Sequence, residues 1–110
     1  MNKFEPHDIT SIRNTLINSG FEKIYTIDEN PWCILLLGIY GGNQYLILLA
    51  KGDLSWYSKV VPAANVLEPY WRCNYIVYVP EGLYVFADNA PTLVEKIISL
   101  VKKFSRVSNR

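Results

Sequence analysis

Ile9, Ile12, Leu16 and Ile17 recur at helical spacing, with Gly20 behind them and His7 or Asp8 ahead, and predict a first helix. Residues 21–27 then alternate, with Phe21, Lys23, Tyr25 and Ile27 on one side and Glu22, Ile24 and Thr26 on the other. This is the pattern of a half-exposed strand near a sheet edge. After the turn-forming run Asp28-Glu29-Asn30-Pro31 come two apolar stretches, residues 32–40 and 44–50, separated by Gly41-Gly42-Asn43. Neither stretch alternates, so both faces of each should be covered, and the glycines suit a tight hairpin at the centre of a sheet. A helical hairpin is the rival, because leucine favours helix. Leu54, Tyr57, Val61, Ala64 and Leu67 then fit a helix over residues 54–67, capped by Asp53, interrupted at Pro62 and ended by Pro69. Residues 75–79 and 83–87 read as short strands around Pro80-Glu81-Gly82. Pro91 opens a last helix through Phe104, with Leu93, Ile97, Leu100, Val101 and Phe104 on one face and Asp88 or Asn89 as its cap.

The expected order is therefore α-β-β-β-α-β-β-α: an α/β domain with a mixed five-stranded sheet, a buried central hairpin and helices packed on it. The chain of 110 residues fits one such domain, here residues 1–104, followed by a basic flexible tail at residues 105–110. Half the residues are apolar and 19% are charged, which sets the chain apart from disordered sequences. Cys33 and Cys73 each adjoin an apolar run. Spacing does not establish a disulfide between them, and two buried free thiols are the expected state. The first twenty residues hold Glu5, Pro6, His7 and Asp8 and no apolar segment of signal-peptide type. No window approaches the eighteen uninterrupted apolar residues of a membrane span. These features imply a cytoplasmic protein without membrane contact.

Charge is distributed unevenly. From Lys96 onward there are five basic residues (Lys96, Lys102, Lys103, Arg106 and Arg110) and no acid, which leaves the rest of the chain with 10 acids against 6 bases. Cations at a helix C-terminus complement its dipole. As a nucleic-acid contact, the same residues would bind phosphates without regard to sequence, at three or four positions at most because they are not expected to share one stripe.

Familiar catalytic constellations are missing. His7 is the only histidine, two separated cysteines leave no zinc-ligand pairing, and Gly38, Gly41 and Gly42 form no phosphate-binding loop. No small-molecule cofactor is indicated. Carboxylates keep one enzymatic reading open, because Mg²⁺-dependent phosphodiester cleavage needs converging acids and a lysine. Gly20-Phe21 after the first helix, a hairpin whose second strand ends Leu49-Ala50-Lys51, and the element order together resemble the restriction-endonuclease-like nucleases. Within that group the small archaeal Holliday junction resolvases are of about the same length, and the likeness to them spans residues 8–90. The resemblance implies a catalytic role for Lys51. It also implies metal-binding acids on the first hairpin strand and two residues before the lysine, where this chain has apolar residues and Leu49. Glu5, the counterpart of the family's first-helix acid, precedes the helix here. A degenerate member without a metal site fits these departures. An active nuclease would need Asp28, Glu29, Lys51 and Asp53 to rebuild a Mg²⁺ site from neighbouring loops.

Trp56, Tyr57, Tyr70 and Trp71 bracket the expected middle helix, and Tyr75 and Tyr78 follow. Aromatic residues in excess of a small core line interfaces. The sequence thus reads as a non-catalytic binding or scaffold domain acting through a protein interface, as a homodimer, with a secondary contact to nucleic acid. Core burial of the same rings is the competing reading.

Overall fold

Gly41 and Gly42 both take positive φ, 58° and 80°, the backbone that a two-residue hairpin requires. They join β2 (Cys33–Tyr40) to β3 (Asn43–Lys51) in register from Tyr40 opposite Asn43 to Cys33 opposite Ala50. The computed structural model describes residues 6–53 and 55–108. It places this hairpin inside a five-stranded sheet of order β1-β2-β3-β4-β5, with β1 at Lys23–Asn30, β4 at Trp56–Pro62 and β5 at Leu83–Ala87. Every neighbouring pair is antiparallel. An α/β domain with a buried central hairpin, as expected, is thus the fold, although its sheet is not mixed.

The two faces of the sheet are covered differently. On the first face Ile34, Leu36, Tyr45, Ile47, Leu49, Trp56 and Val60 pack against α1 (Pro6–Asn18) and α3 (Ala90–Ser108), through Ile12 and Leu16 and through Leu93, Ile97 and Val101. On the second face Cys33, Leu35, Leu37, Leu46, Leu48, Ala50 and Val61 lie beneath the connection between β4 and β5. That connection contributes Ala63, Val66, Cys73 and Ile76 and holds only two 3-10 turns and the single turn of α2 (Cys73–Ile76). Double coverage explains why β2 and β3 read as continuous apolar runs.

Two expected elements exchange identity. Residues 54–67 were expected to form a helix capped by Asp53; instead β4 occupies Trp56–Pro62, and Asp53 sits in a hairpin loop closed by the Gly52 N–H donating to Ser55 O at 2.8 Å. Leu54 lies outside the described residues. Aromatic and β-branched residues suit a pleated strand, and Pro62 falls at the end of the ladder, opposite Tyr45. The apparent helical period arose because both faces of β4 are buried, which erases alternation. Residues 75–79 were expected to form a strand but belong to α2 and the turn after it. There the Cys73 N–H donates to Asp28 Oδ2 (2.9 Å), and the buried Lys59 Nζ donates to Ile76 O (2.9 Å) and to Val79 O. A carboxylate and an ammonium from distant strands thus satisfy the ends of a turn that has no side-chain cap of its own.

Nor are the cysteines free thiols: Cys33 and Cys73 form a disulfide, with a Cα–Cα distance of 6.2 Å, within the range of native bridges. Each is a small apolar residue in its own segment, and only the folding of residues 63–79 onto β2 brings them together. Finally, α3 continues to Ser108, four residues past the last expected core position, Phe104. The end of the expected tail, with Arg110, lies outside the described residues, as do Glu5 and the side chain of His7.

A 40-residue separation makes this bridge a strong constraint on the unfolded chain. Reduction, or the double variant Cys33→Ser/Cys73→Ser, is expected to lower unfolding stability by about 4 kcal/mol on the chain-entropy account. Denaturant titration with and without reductant measures the difference.

Candidate interaction surface

Among the described residues the structure does not gather the carboxylates that a nuclease would need into one metal site. Asp28 stands at a register shift in β1, where its Oδ1 accepts from the Glu29 N–H (3.0 Å) while Oδ2 caps α2. Its side chain therefore serves the second-face cover. Lys51, opposite Trp56 at the end of β3, holds its Nζ 5.1 Å from the Trp56 ring centroid, and Trp56 belongs to the first-face core. Asp28 and Lys51 are directed to opposite sides of the sheet. Asp53 is in the β3–β4 loop, and Glu29 pairs with Ile34 near the end of β1. Among the described residues no three carboxylate, cysteine or histidine side chains gather to form a site for a metal ion.

Basic residues on α3 are better ordered than the sequence implied. Because the helix extends to Ser108, Lys96, Lys102, Lys103 and Arg106 fall within an arc of about 120° at 3.6 residues per turn. All four are exposed, as is Glu95 on the same side of the helix. Lys96 is also engaged within the fold, since its Nζ donates to Phe86 O at 2.6 Å.

Of the four rings expected at an interface, two are claimed by packing. Trp56 is buried in the first-face core. Trp71 is half-buried against the second core and donates its Nε1–H to Val66 O (2.9 Å). Tyr57 is partly buried at the rim of that core, and Tyr70 is exposed. The exposed aromatic surface lies further along the chain. Tyr70 meets Tyr75 edge-on at 5.0 Å, and Tyr78 stands 84% exposed just after α2. On β5, Tyr84 and Phe86 stack at 6.2 Å and both approach Tyr57, at 6.3 and 6.0 Å. Leu83 and Phe86 are each more than half exposed. A run of rings therefore extends from the turn of α2 to the free edge of the sheet. Tyr84 and Phe86 escaped the sequence reading because residues 83–87 look the same whether the strand is central or at an edge. Their signal is the absence of any charge in Leu-Tyr-Val-Phe-Ala.

Lys59 lies directly beneath this surface at 3% exposure, and its ammonium, besides bonding Ile76 O and Val79 O, sits 5.2 Å from the Tyr84 ring centroid. The Tyr84 hydroxyl in turn donates to Val77 O (2.8 Å). Both side chains fix the segment that carries Tyr75 and Tyr78. A lone lysine within Trp-Tyr-Ser-Lys-Val-Val was the available cue. Burial pushes the Lys59 ammonium below its ordinary value of 10.5, with Glu81 opposing the shift, and burial likewise raises the Tyr84 phenol, followed by the effects of Tyr57 and Tyr78.

No protein-family model, curated protein or solved structure matches the chain. No helix among the described residues is long and apolar enough to cross a membrane.

Lys59→Met removes the donor from two backbone carbonyls and should destabilise the fold by about 2 kcal/mol at neutral pH, after the relief of lysine desolvation. Its pH dependence has a definite sign. The folded state releases the Lys59 proton more readily than the unfolded chain, so this group adds stability as pH rises from its lowered value toward 10.5. The stability gap between wild type and Lys59→Met should therefore widen across that window, as read by chemical denaturation from pH 7 upward. A gap that narrows would show that the ammonium form is the one the fold prefers.

Proposed function

We propose that the chain is a non-catalytic binding domain that acts through a protein interface, as a homodimer, with a weaker contact to nucleic acid through α3. The observation that carries this reading is the exposed aromatic surface formed by Tyr70, Tyr75, Tyr78, Tyr84 and Phe86, with the partly buried Tyr57 beside Tyr84 and Phe86. Aromatic rings dominate binding energy at interfaces, and exposed apolar patches of this kind mark interaction sites. The opposite facing of Asp28 and Lys51, and the lack of converging carboxylates among the described residues, favour binding over metal-dependent cleavage. Lys51 ends β3, where the resemblance to the archaeal resolvases expects a lysine, but β4 stands where that resemblance expects a helix, so only the hairpin and its lysine support a nuclease-like ancestry. The domain is assigned to the cytoplasm. A disulfide is uncommon there, but both sulfurs belong to fully buried cysteines, which restricts attack by cellular thiols.

Sedimentation at micromolar concentration should show a dimer, and Phe86→Ala should weaken it by about thirtyfold, the equivalent of roughly 2 kcal/mol for an aromatic anchor. A monomer at every concentration overturns the interface reading. Incubation with Mg²⁺ or Mn²⁺ should leave branched, double- and single-stranded DNA intact, whereas cleavage abolished by Lys51→Ala would restore the nuclease reading. Any binding of DNA or RNA should be independent of sequence, with a log–log salt slope of roughly −3 for three or four phosphate contacts. No affinity even at about 50 mM salt would remove nucleic acid from the proposal.

A further inference from the structure

The two edges of the sheet are not protected alike. Exposed edge strands invite pairing with other chains, and charges, proline or a bulge normally block it. β1 carries Lys23, Asp28 and Glu29 and has a register shift between Thr26 and Asp28. β5 carries neither charge nor proline, and Leu83, Tyr84 and Phe86 are exposed on it. We propose that β5 is a self-pairing edge, through which two copies align their Leu83–Ala87 strands antiparallel about a two-fold axis at Val85 and fuse their sheets into one of ten strands. The proposal rests on the homodimer reading above and adds where and in what register the copies meet.

The strand itself selects the register. Residues opposed across an antiparallel pair share a face, so the two-fold axis must fall on a residue. With Val85 on the axis, Tyr84 opposes Phe86 of the second copy, and Leu83 opposes the small Ala87. The ladder of Tyr57, Tyr84 and Phe86 then continues into the same three rings of the other chain. Beyond the strand ends, Gly82 opposes Asp88 and Glu81 opposes Asn89, so no like charges meet. An axis at Tyr84 would set Phe86 against Gly82, and an axis at Phe86 would set Tyr84 against Asp88. Only the Val85 register keeps both rings paired.

Gly82 prepares the entry to this edge. Its φ is +91°, and a Cβ there would lie 2.6 Å from Val60 O, so glycine lets the chain turn tightly against β4 as it enters β5. Lys96 reaches the strand's backbone, donating to Phe86 O. A carbonyl oxygen has a second lone pair, so this contact weakens edge pairing without forbidding it.

Val85→Cys provides the test, because both native cysteines are already paired with each other. Mild oxidation at micromolar concentration should crosslink most Val85→Cys chains into a covalent dimer, whereas Tyr25→Cys, exposed on β1, should remain uncrosslinked. In the unmodified protein, β5 amides should exchange with deuterium at least tenfold more slowly in concentrated than in dilute solution. A sedimenting dimer without Val85→Cys crosslinking and without added β5 protection would overturn edge pairing and leave the homodimer reading intact. A monomer throughout would overturn both. Crosslinking at Tyr25→Cys instead would move the interface to β1.

Discussion

Residues 63–79 hold only two 3-10 turns and one helical turn, yet they cover the second face of the core. A backbone without a ladder of its own must offset its conformational entropy through tertiary ties. Three of them meet at one short stretch: the Cys33–Cys73 bridge, the Asp28 carboxylate on the Cys73 N–H, and the Lys59 ammonium on Ile76 O and Val79 O. Each reaches from a different strand, β2, β1 and β4 in turn, so the cover is fixed to three of the five strands. Without these ties Leu35, Leu37, Leu46 and Leu48 would face water on the second side of the sheet.

The same ties determine where the aromatic surface lies. With Cys73 and Ile76 held inward, Tyr75 is turned outward on the single turn of α2, and Tyr78 follows it into solvent. Tyr84 connects this turn to the sheet edge, bonding Val77 O with its hydroxyl while its ring covers Lys59. A buried lysine is a costly device unless its donors are satisfied, and here it links the inner face of the cover to the rings displayed outside it. Stability of the second core and display of the exposed aromatic surface thus depend on the same few side chains.

The legible parts of the sequence were those in which burial is one-sided or turn chemistry is local. α1 and α3 showed helical periodicity, β1 alternated, and Gly41-Gly42 marked the hairpin. β4 was misread because Trp56, Ser58 and Val60 are buried on one face and Tyr57, Lys59 and Val61 are wholly or partly buried on the other, which leaves no period to detect. The turn of α2 was misread because its caps, Asp28 and Lys59, lie 45 and 17 residues away in sequence. The disulfide was hidden for the same reason, since neither cysteine's surroundings predict the fold of the cover. Among the interface candidates Tyr57 and Tyr70 remain at the surface, while packing takes Trp56 and largely takes Trp71. Whether a ring lies in a core or at an edge depends on strand order, which local sequence does not contain.

Strand order also relates the two surfaces to each other. α3 packs its apolar face on the first side of the sheet and turns Lys102, Lys103 and Arg106 away from it, whereas Tyr84, Phe86 and Tyr57 lie on the second side. An antiparallel junction between two β5 strands has its two-fold axis perpendicular to the sheet, so both copies keep the same face uppermost. In the proposed dimer the two α3 helices would stand on one side of the continuous sheet, near the junction, and the aromatic rings on the other. In the proposed nucleic-acid contact, a single copy would offer only a weak set of phosphate contacts. Two copies facing the same way along a rigid sheet would engage one nucleic-acid backbone together, and the second set would bind at the effective concentration imposed by the first. Dimerisation through β5 would thus strengthen the basic face without adding a basic residue, and would link the proposed protein interface to the proposed nucleic-acid contact by geometry alone.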